Sequence, residues 1–256
     1  MGAAYRQRRP VRPPVVHRRL VVLGRRCGPG MGTRPLSGAA HGASGMGLAL
    51  IEAGTAFRRP EWIAGGIAAF ADEDRLFGAH RGNWPDLPGR AAGAHDRPPD
   101  QSAFMLAWCH GASDIGVARL RALRLLPERR IQLLEGIRRA VGIASAHLGI
   151  QPSTGDASPC HGRAGLAETL LYATDVLNEP EHAHQARRIW RSALRSRSSN
   201  TWRCGVASGQ YNPSLMLGYA GIGYALLRAA AHRPLPPIAL VESVASAKRA
   251  DSGQRR

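Results

Sequence analysis

His41-Gly-Ala-Ser-Gly-Met-Gly-Leu-Ala-Leu50 returns three times further along the chain, as His110-Gly-Ala-Ser-Asp-Ile-Gly-Val-Ala-Arg119, His161-Gly-Arg-Ala-Gly-Leu-Ala-Glu-Thr-Leu170 and Leu217-Gly-Tyr-Ala-Gly-Ile-Gly-Tyr-Ala-Leu226. The starts lie 69, 51 and 56 residues apart. Repeats of this length are those of stacked helical hairpins, in which each unit buries its apolar face only against its neighbours. In each copy glycine opens a run rich in Ala and Leu, where the missing side chain lets the chain turn or lets two backbones approach. A second, more amphipathic helix is expected after each, over Glu61–Leu76, Glu128–Leu148 and Glu181–Arg197. The last two follow Pro127 and Pro180, residues suited to a first helical turn. Within Glu128–Leu148, the apolar Ile131, Leu134, Ile137, Val141 and Leu148 are expected on one face, opposite Arg130 and Arg138. The period is helical throughout and no stretch reads as a sheet. The predicted class is all-α.

The chain has 256 residues, with a formal net charge of +17 from 35 basic and 18 acidic side chains. Length and a hydrophobic content of 44% suit a domain with a real core. Lys248 is the only lysine. Residues 1–35 carry nine arginines and no acid, and a short tail around Lys248 and Arg256 adds further positive charge. The excess therefore sits largely at the two ends. Residues 1–35 are expected to be a disordered Arg/Pro-rich leader, 36–232 the folded unit, and 233–256 a disordered tail. A basic arm that binds nucleic acid is another reading of residues 1–35; with only Tyr5 as an aromatic there, a base-stacking role is weakened. No apolar run reaches the roughly 18–20 residues of a membrane helix. Four cysteines are too few for a disulfide scaffold and suit a reducing compartment, the cytoplasm.

Two of those cysteines recur at matched repeat positions: Cys109-His110 precedes the second glycine pair and Cys160-His161 the third. Matched positions in a stacked array meet on one rim. Cys109, Cys160 and His161 would give zinc a Cys₂His set with one position open, as in catalytic rather than structural sites. Two buried thiols beside helix-capping histidines are the other reading of these residues. Cys204 reads as a buried thiol, and Cys27 falls in the leader.

Gly38-Ala-Ala-His41-Gly-Ala-Ser-Gly45, Trp108-Cys-His-Gly111, Cys160-His-Gly162 and Leu217-Gly-Tyr-Ala-Gly-Ile-Gly-Tyr-Ala-Leu-Leu-Arg228 together resemble the lanthionine synthetase C-like cyclases. The nearest likeness is to the C-terminal cyclase domain of class II lanthipeptide synthetases. Gly82-Asn-Trp-Pro-Asp86 and Trp202-Arg-Cys-Gly205 fit that class as well. The resemblance implies an α/α toroid, a double barrel of helical hairpins. Because it starts only at about residue 36, the C-terminal part of the ring is expected. It implies Zn²⁺ held by Cys109, Cys160 and His161, with His41 in acid/base work and His110 as a proton-handling partner. The implied reaction adds a peptide cysteine thiol to dehydroalanine or dehydrobutyrine, closing a (methyl)lanthionine thioether ring in a dehydrated precursor peptide. A separately encoded N-terminal half or dehydratase is an expected partner, and the shortened chain is expected to be a cyclase impaired by its truncation. A non-catalytic peptide-binding remnant is the alternative function. The sequence departs from the family at Asp114, where glycine is usual, and offers no match for the family's aspartate near the metal. If the backbone at 114 required a positive φ, Asp there would be worse than glycine.

Overall fold

Each of the four glycine-led segments starts a helix. The computed structural model describes residues 36–85, 104–150, 155–196, 201–231, 235–238 and 240. The leader 1–35, Cys27, Asp86 and the tail from 241 onwards, with the readings placed on them, lie outside the described residues. Among the described residues seven α-helices occur: α1 (Ala43–Ala56), α2 (Pro60–Asp74), α3 (Ala112–Leu125), α4 (Arg130–Ile150), α5 (Arg163–Leu177), α6 (Pro180–Ser196) and α7 (Tyr219–Ala230). They contain no strand there; only two isolated bridges, Gly78–Asn83 and Ala107–His110, pair extended residues.

The helices form hairpins, α1 with α2, α3 with α4 and α5 with α6. The glycine-led helices also pack on one another in sequence, α1 on α3, α3 on α5 and α5 on α7. This makes an inner row of α1, α3, α5 and α7 with α2, α4 and α6 behind it, the two-layered α/α arrangement expected of the toroid.

The composition of each layer explains its place. Inner helices α3 and α5 are buried on almost every face, with Leu120, Leu166, Leu170 and Tyr172 fully enclosed. Such helices belong in the middle of a fold rather than on its surface. The outer helix α6 shows the opposite pattern. It buries only the stripe Ala183, Ala186, Trp190 and Ala193, spaced three or four residues apart, and leaves its arginines outside or half-covered.

Pro180 is the first residue of α6, as expected. Pro127 instead starts a single 3₁₀ turn, Pro127–Arg129, and α4 proper begins at Arg130. One register detail also differs. Ile131 is 93% exposed, whereas Leu133 is buried together with Ile137, Ala140, Val141, Ala144 and Leu148. Spacings of 3, 4 and 7 through the small residues Ala140 and Ala144 set the stripe, and Ile131 falls off it. The larger apolar side chains alone give a misleading face, because close helix contacts here are made through alanine.

Charged side chains tie the rows together inside the core. Arg119 of α3 pairs with Glu73 of α2 at 3.1 Å, with both side chains at 2% exposure or less, and with Asp74 at 2.7 Å. Its guanidinium also lies over the rings of Phe70 and Trp84. Glu168 of α5 pairs with Arg228 of α7 at 2.9 Å, also buried. Burial raises the Glu168 carboxyl above its ordinary value, and Arg228 opposes that shift. The first of these buried carboxylate–guanidinium pairs joins an inner helix to an outer one, and the second joins two neighbouring inner helices.

Candidate metal and acid/base site

The turns preceding the inner helices are stitched to one another by backbone hydrogen bonds. The Trp108 amide donates to the Cys160 carbonyl at 2.9 Å, and the Cys160 amide donates to the Met216 carbonyl at 2.9 Å. The second, third and fourth repeat turns therefore lie side by side. Matched positions on a stacked array must meet when the turns are joined in this way, and the two cysteines occupy matched positions.

The ligand-type atoms of Cys109, Cys160 and His161 all lie within 4.8 Å of one another. Both thiols are half-buried and free of disulfide bonds, while His161 is exposed. The Cys160 sulfur is 3.4 Å from Nε2 of His161. A hydrogen bond from Cys109 lowers the Cys160 thiol below its ordinary value, against burial and the neighbouring Asp156 carboxylate. A Cys₂His set of this kind fits zinc: soft thiolates and an imidazole are its preferred donors, and three protein ligands leave a fourth position for substrate.

His41 and His110 also come together, with ring centroids 5.4 Å apart and planes tilted by 34°. His41 is exposed on the first repeat turn, and His110 directly follows Cys109. His110 Nδ1 is buried and has no hydrogen-bond partner among the described residues. The structure thus places all five sequence-predicted residues on the turns that open α1, α3 and α5.

The motif around Asn83 has a local purpose. Asn83 Oδ1 accepts hydrogen bonds from the Trp84 and Ala112 amides at 2.9 and 3.0 Å, and its Nδ2 donates to the Met105 carbonyl at 2.9 Å. One amide side chain therefore caps α3 and holds both ends of the turn that carries Cys109 and His110. Trp84 is fully buried beside it, edge-on to Phe77 at 4.8 Å. On the fourth turn Cys204 is a buried thiol, at 1% exposure, and its amide donates to Gly209.

Asp114 and Glu73 were not among the expected site residues. Asp114 sits within α3 with an ordinary helical backbone; the positive φ falls instead on Gly111, at +81°. The strain foreseen for an Asp at this position is therefore absent. Its side chain accepts a hydrogen bond from the Ala39 amide at 2.6 Å. Glu73 accepts from the Gly38 amide at 2.7 Å and the Ser44 amide at 3.2 Å, and from the Ser44 hydroxyl. Both acids thus hold the turn that carries His41. The sequence signal for Asp114 was its departure from the glycine of the other repeats; Glu73 gave none.

A family model described as lanthionine synthetase C-like protein matches residues 31–240, and the chain belongs to that family. No curated protein matches the sequence. Among solved structures the chain is similar to nisin cyclase, at 17% identity and a TM-score of 0.46. That alignment covers 76% of this chain and 46% of the nisin cyclase chain, so the chain spans about half the length of that relative.

Proposed function

We propose that the unit spanning residues 36–232 is a zinc-dependent peptide cyclase that adds a peptide cysteine thiol across the double bond of dehydroalanine or dehydrobutyrine. The observation that carries the reading is the convergence of Cys109, Cys160 and His161 within 4.8 Å in a chain of the lanthionine synthetase C-like family. When bound by these three side chains, zinc supplies a lowered thiol pKa at its open position, so that the substrate sulfur is present as thiolate near neutral pH.

The remaining work falls to the protein's own groups. The addition forms a bond between sulfur and the β-carbon, moves the alkene electron pair onto the α-carbon, and finishes when that carbon takes up a proton. Atoms balance without an oxidant or reductant: the thiol proton leaves, one proton is returned at the α-carbon, and the product is an isomer of the open peptide. Imidazole suits both transfers because its unperturbed pKa lies near neutrality. His41, exposed on the rim, is assigned as the group that exchanges this proton with the substrate. His110 lies against it, on the turn of a metal ligand, and is assigned as its partner. Free thiols in a metal set suit a reducing compartment, the cytoplasm. No described helix is long and apolar enough to cross a membrane.

Incubation with a dehydrated precursor peptide tests the reading. Ring closure leaves the mass unchanged, so the signal is loss of alkylatable thiols. Thiol loss that disappears in Cys109→Ala is the expected result. Binding of the precursor with no thiol loss, with or without an added N-terminal half, would instead fit a non-catalytic peptide-binding role.

A further inference from the structure

The four inner helices start in two different ways. At the starts of α1, α5 and α7 the capping residues Gly42, Gly162 and Gly218 are extended, with φ of −130°, −110° and −142°. The preceding turn then folds back on the helix. The carbonyls of Ala39, Pro159 and Leu215 press on Gly45, Gly165 and Gly221, so closely that a Cβ on any of the three would collide with that oxygen. Position 114 is the equivalent site in α3, and it carries a carboxylate. Its capping residue, Gly111, has φ of +81°, a conformation that side chains rarely adopt. The turn before α3 thus takes another path, and the space closed in the other repeats is open to Asp114.

The Asp114 side chain leaves its own repeat. Only 1% exposed, it reaches the first repeat turn, where Oδ2 accepts from the Ala39 amide at 2.6 Å. Gly38, at φ +99°, lies so near that a Cβ there would stand 2.7 Å from the same oxygen. The adjacent Gly38 amide is held by Glu73 of α2. Two consecutive amides are therefore gripped by carboxyl groups from two other helices, and His41 follows two residues later. Asp114 is joined in this way to the placement of one ring, and α3 carries the other ring, His110, just before its start.

We propose that Asp114 is a positioning residue that sets the His41 turn over the Cys109–His110 turn, bringing the His41 imidazole to the rim of the metal set. Burial holds the Asp114 carboxyl well above the ordinary carboxylate range. A neutral carboxyl still accepts the Ala39 hydrogen bond through its carbonyl oxygen, so the grip does not depend on charge. An amide side chain can do the same, which an alanine cannot.

The activity arm of the test rests on the proposed cyclase role, and the exchange arm does not. In the wild-type protein the Ala39 amide should be protected from hydrogen exchange and the His41 and His110 rings should show a mutual nuclear Overhauser effect. Asp114→Ala should speed Ala39 exchange by about tenfold or more and weaken the ring-to-ring signal. Zinc content should stay unchanged. Asp114→Asn should keep the protection and the ring contact. In the cyclase assay Asp114→Ala should lower kcat with little change in KM, and Asp114→Asn should restore it. An Ala39 amide that exchanges freely in the wild type overturns the proposal even where the alanine variant fails to fold. So does an Asp114→Ala protein that keeps both protection and ring contact. Absence of cyclase activity in the wild type counts against the functional reading alone, since the exchange and ring measurements still decide the role of Asp114.

Discussion

The imidazole of His41 lies 5.4 Å from that of His110, although the two belong to different repeats. Equivalent residues of neighbouring units meet because α1 packs on α3 and their turns share a rim. A group that exchanges a proton in the rate-limiting step typically contributes 10²–10⁴-fold. His41→Asn should therefore slow thiol loss by roughly 10²-fold or more, while leaving zinc content and helical signal unchanged. Steady-state kinetics with paired metal analysis checks this. A slow variant that has also lost its metal would place His41 in the structure of the site rather than in proton transfer.

The turn carrying Cys160 and His161 depends on Gly165. A side chain there would strike the Pro159 carbonyl, next to Cys160. Gly165→Ala should cost about 1–3 kcal/mol in stability and weaken metal retention, because Cys160 and His161 sit on the displaced turn. Gly142 is the contrast: it lies in α4 with no neighbour within 4 Å of a Cβ. Gly142→Ala should stabilise by up to about 1 kcal/mol without touching metal binding. Urea titrations of the two variants, run beside a metal assay, separate crowding from helix propensity.

Arg119 fills a cavity that glycine leaves for it: a Cβ on Gly136 would collide with its guanidinium. Removing a single partner from a buried ion pair leaves an uncompensated charge and typically costs 3–5 kcal/mol. Arg119→Met should fall in that range, about 3–5 kcal/mol, since Glu73 would be left at 0% exposure without its main cation. Glu73 also holds the His41 turn, so slower thiol transfer should accompany the loss of stability. A change below about 1 kcal/mol in chemical denaturation would mean that the pair contributes no more than a surface one.

Asp114 gives a pH dependence whose sign follows from its environment. Burial is the main cause of its raised pKa, with repulsion from Glu73 of α2 adding to it and the Ala39 and Ile115 amides opposing it; Arg119 faces Glu73 from within α3. The folded state thus holds this proton more tightly than the unfolded chain does. Its stabilising contribution is full below the ordinary carboxylate pKa and is lost as pH rises from there through the folded value. Relative to Asp114→Asn, the wild type should lose stability from about pH 4 upward. Parallel denaturation curves between about pH 4 and 8 reveal it; a constant difference would mean that Asp114 titrates alike in both states.

Much of this was legible in the sequence because repetition carries three-dimensional information. Once His41, His110, Cys160 and His161 are aligned on the glycine starts, stacking alone brings them to one rim. What stayed hidden depends on the path between elements. Glu73 reads as one more acid in the run Asp72-Glu-Asp74, and only the return of residues 36–42 over α2 shows that it is a buried acceptor for Gly38 and Ser44. Asp114 reads as a flaw in the pattern until the φ of Gly111 shows that the second turn differs from the other three. Ile131 misleads for a simpler reason: α4 packs through Ala140 and Ala144, and small residues weigh little in a search for apolar faces.

Zinc analysis of the purified protein, together with its Cys109→Ala and Cys160→Ala variants, bears most directly on the claim that the repeat turns build a catalytic metal centre. The account predicts about one zinc per chain in the wild type, lost in both variants while the helical circular dichroism signal persists. A folded wild-type protein that retains no zinc from a zinc-supplemented preparation, or two variants that hold it as tightly as the parent, would contradict the account.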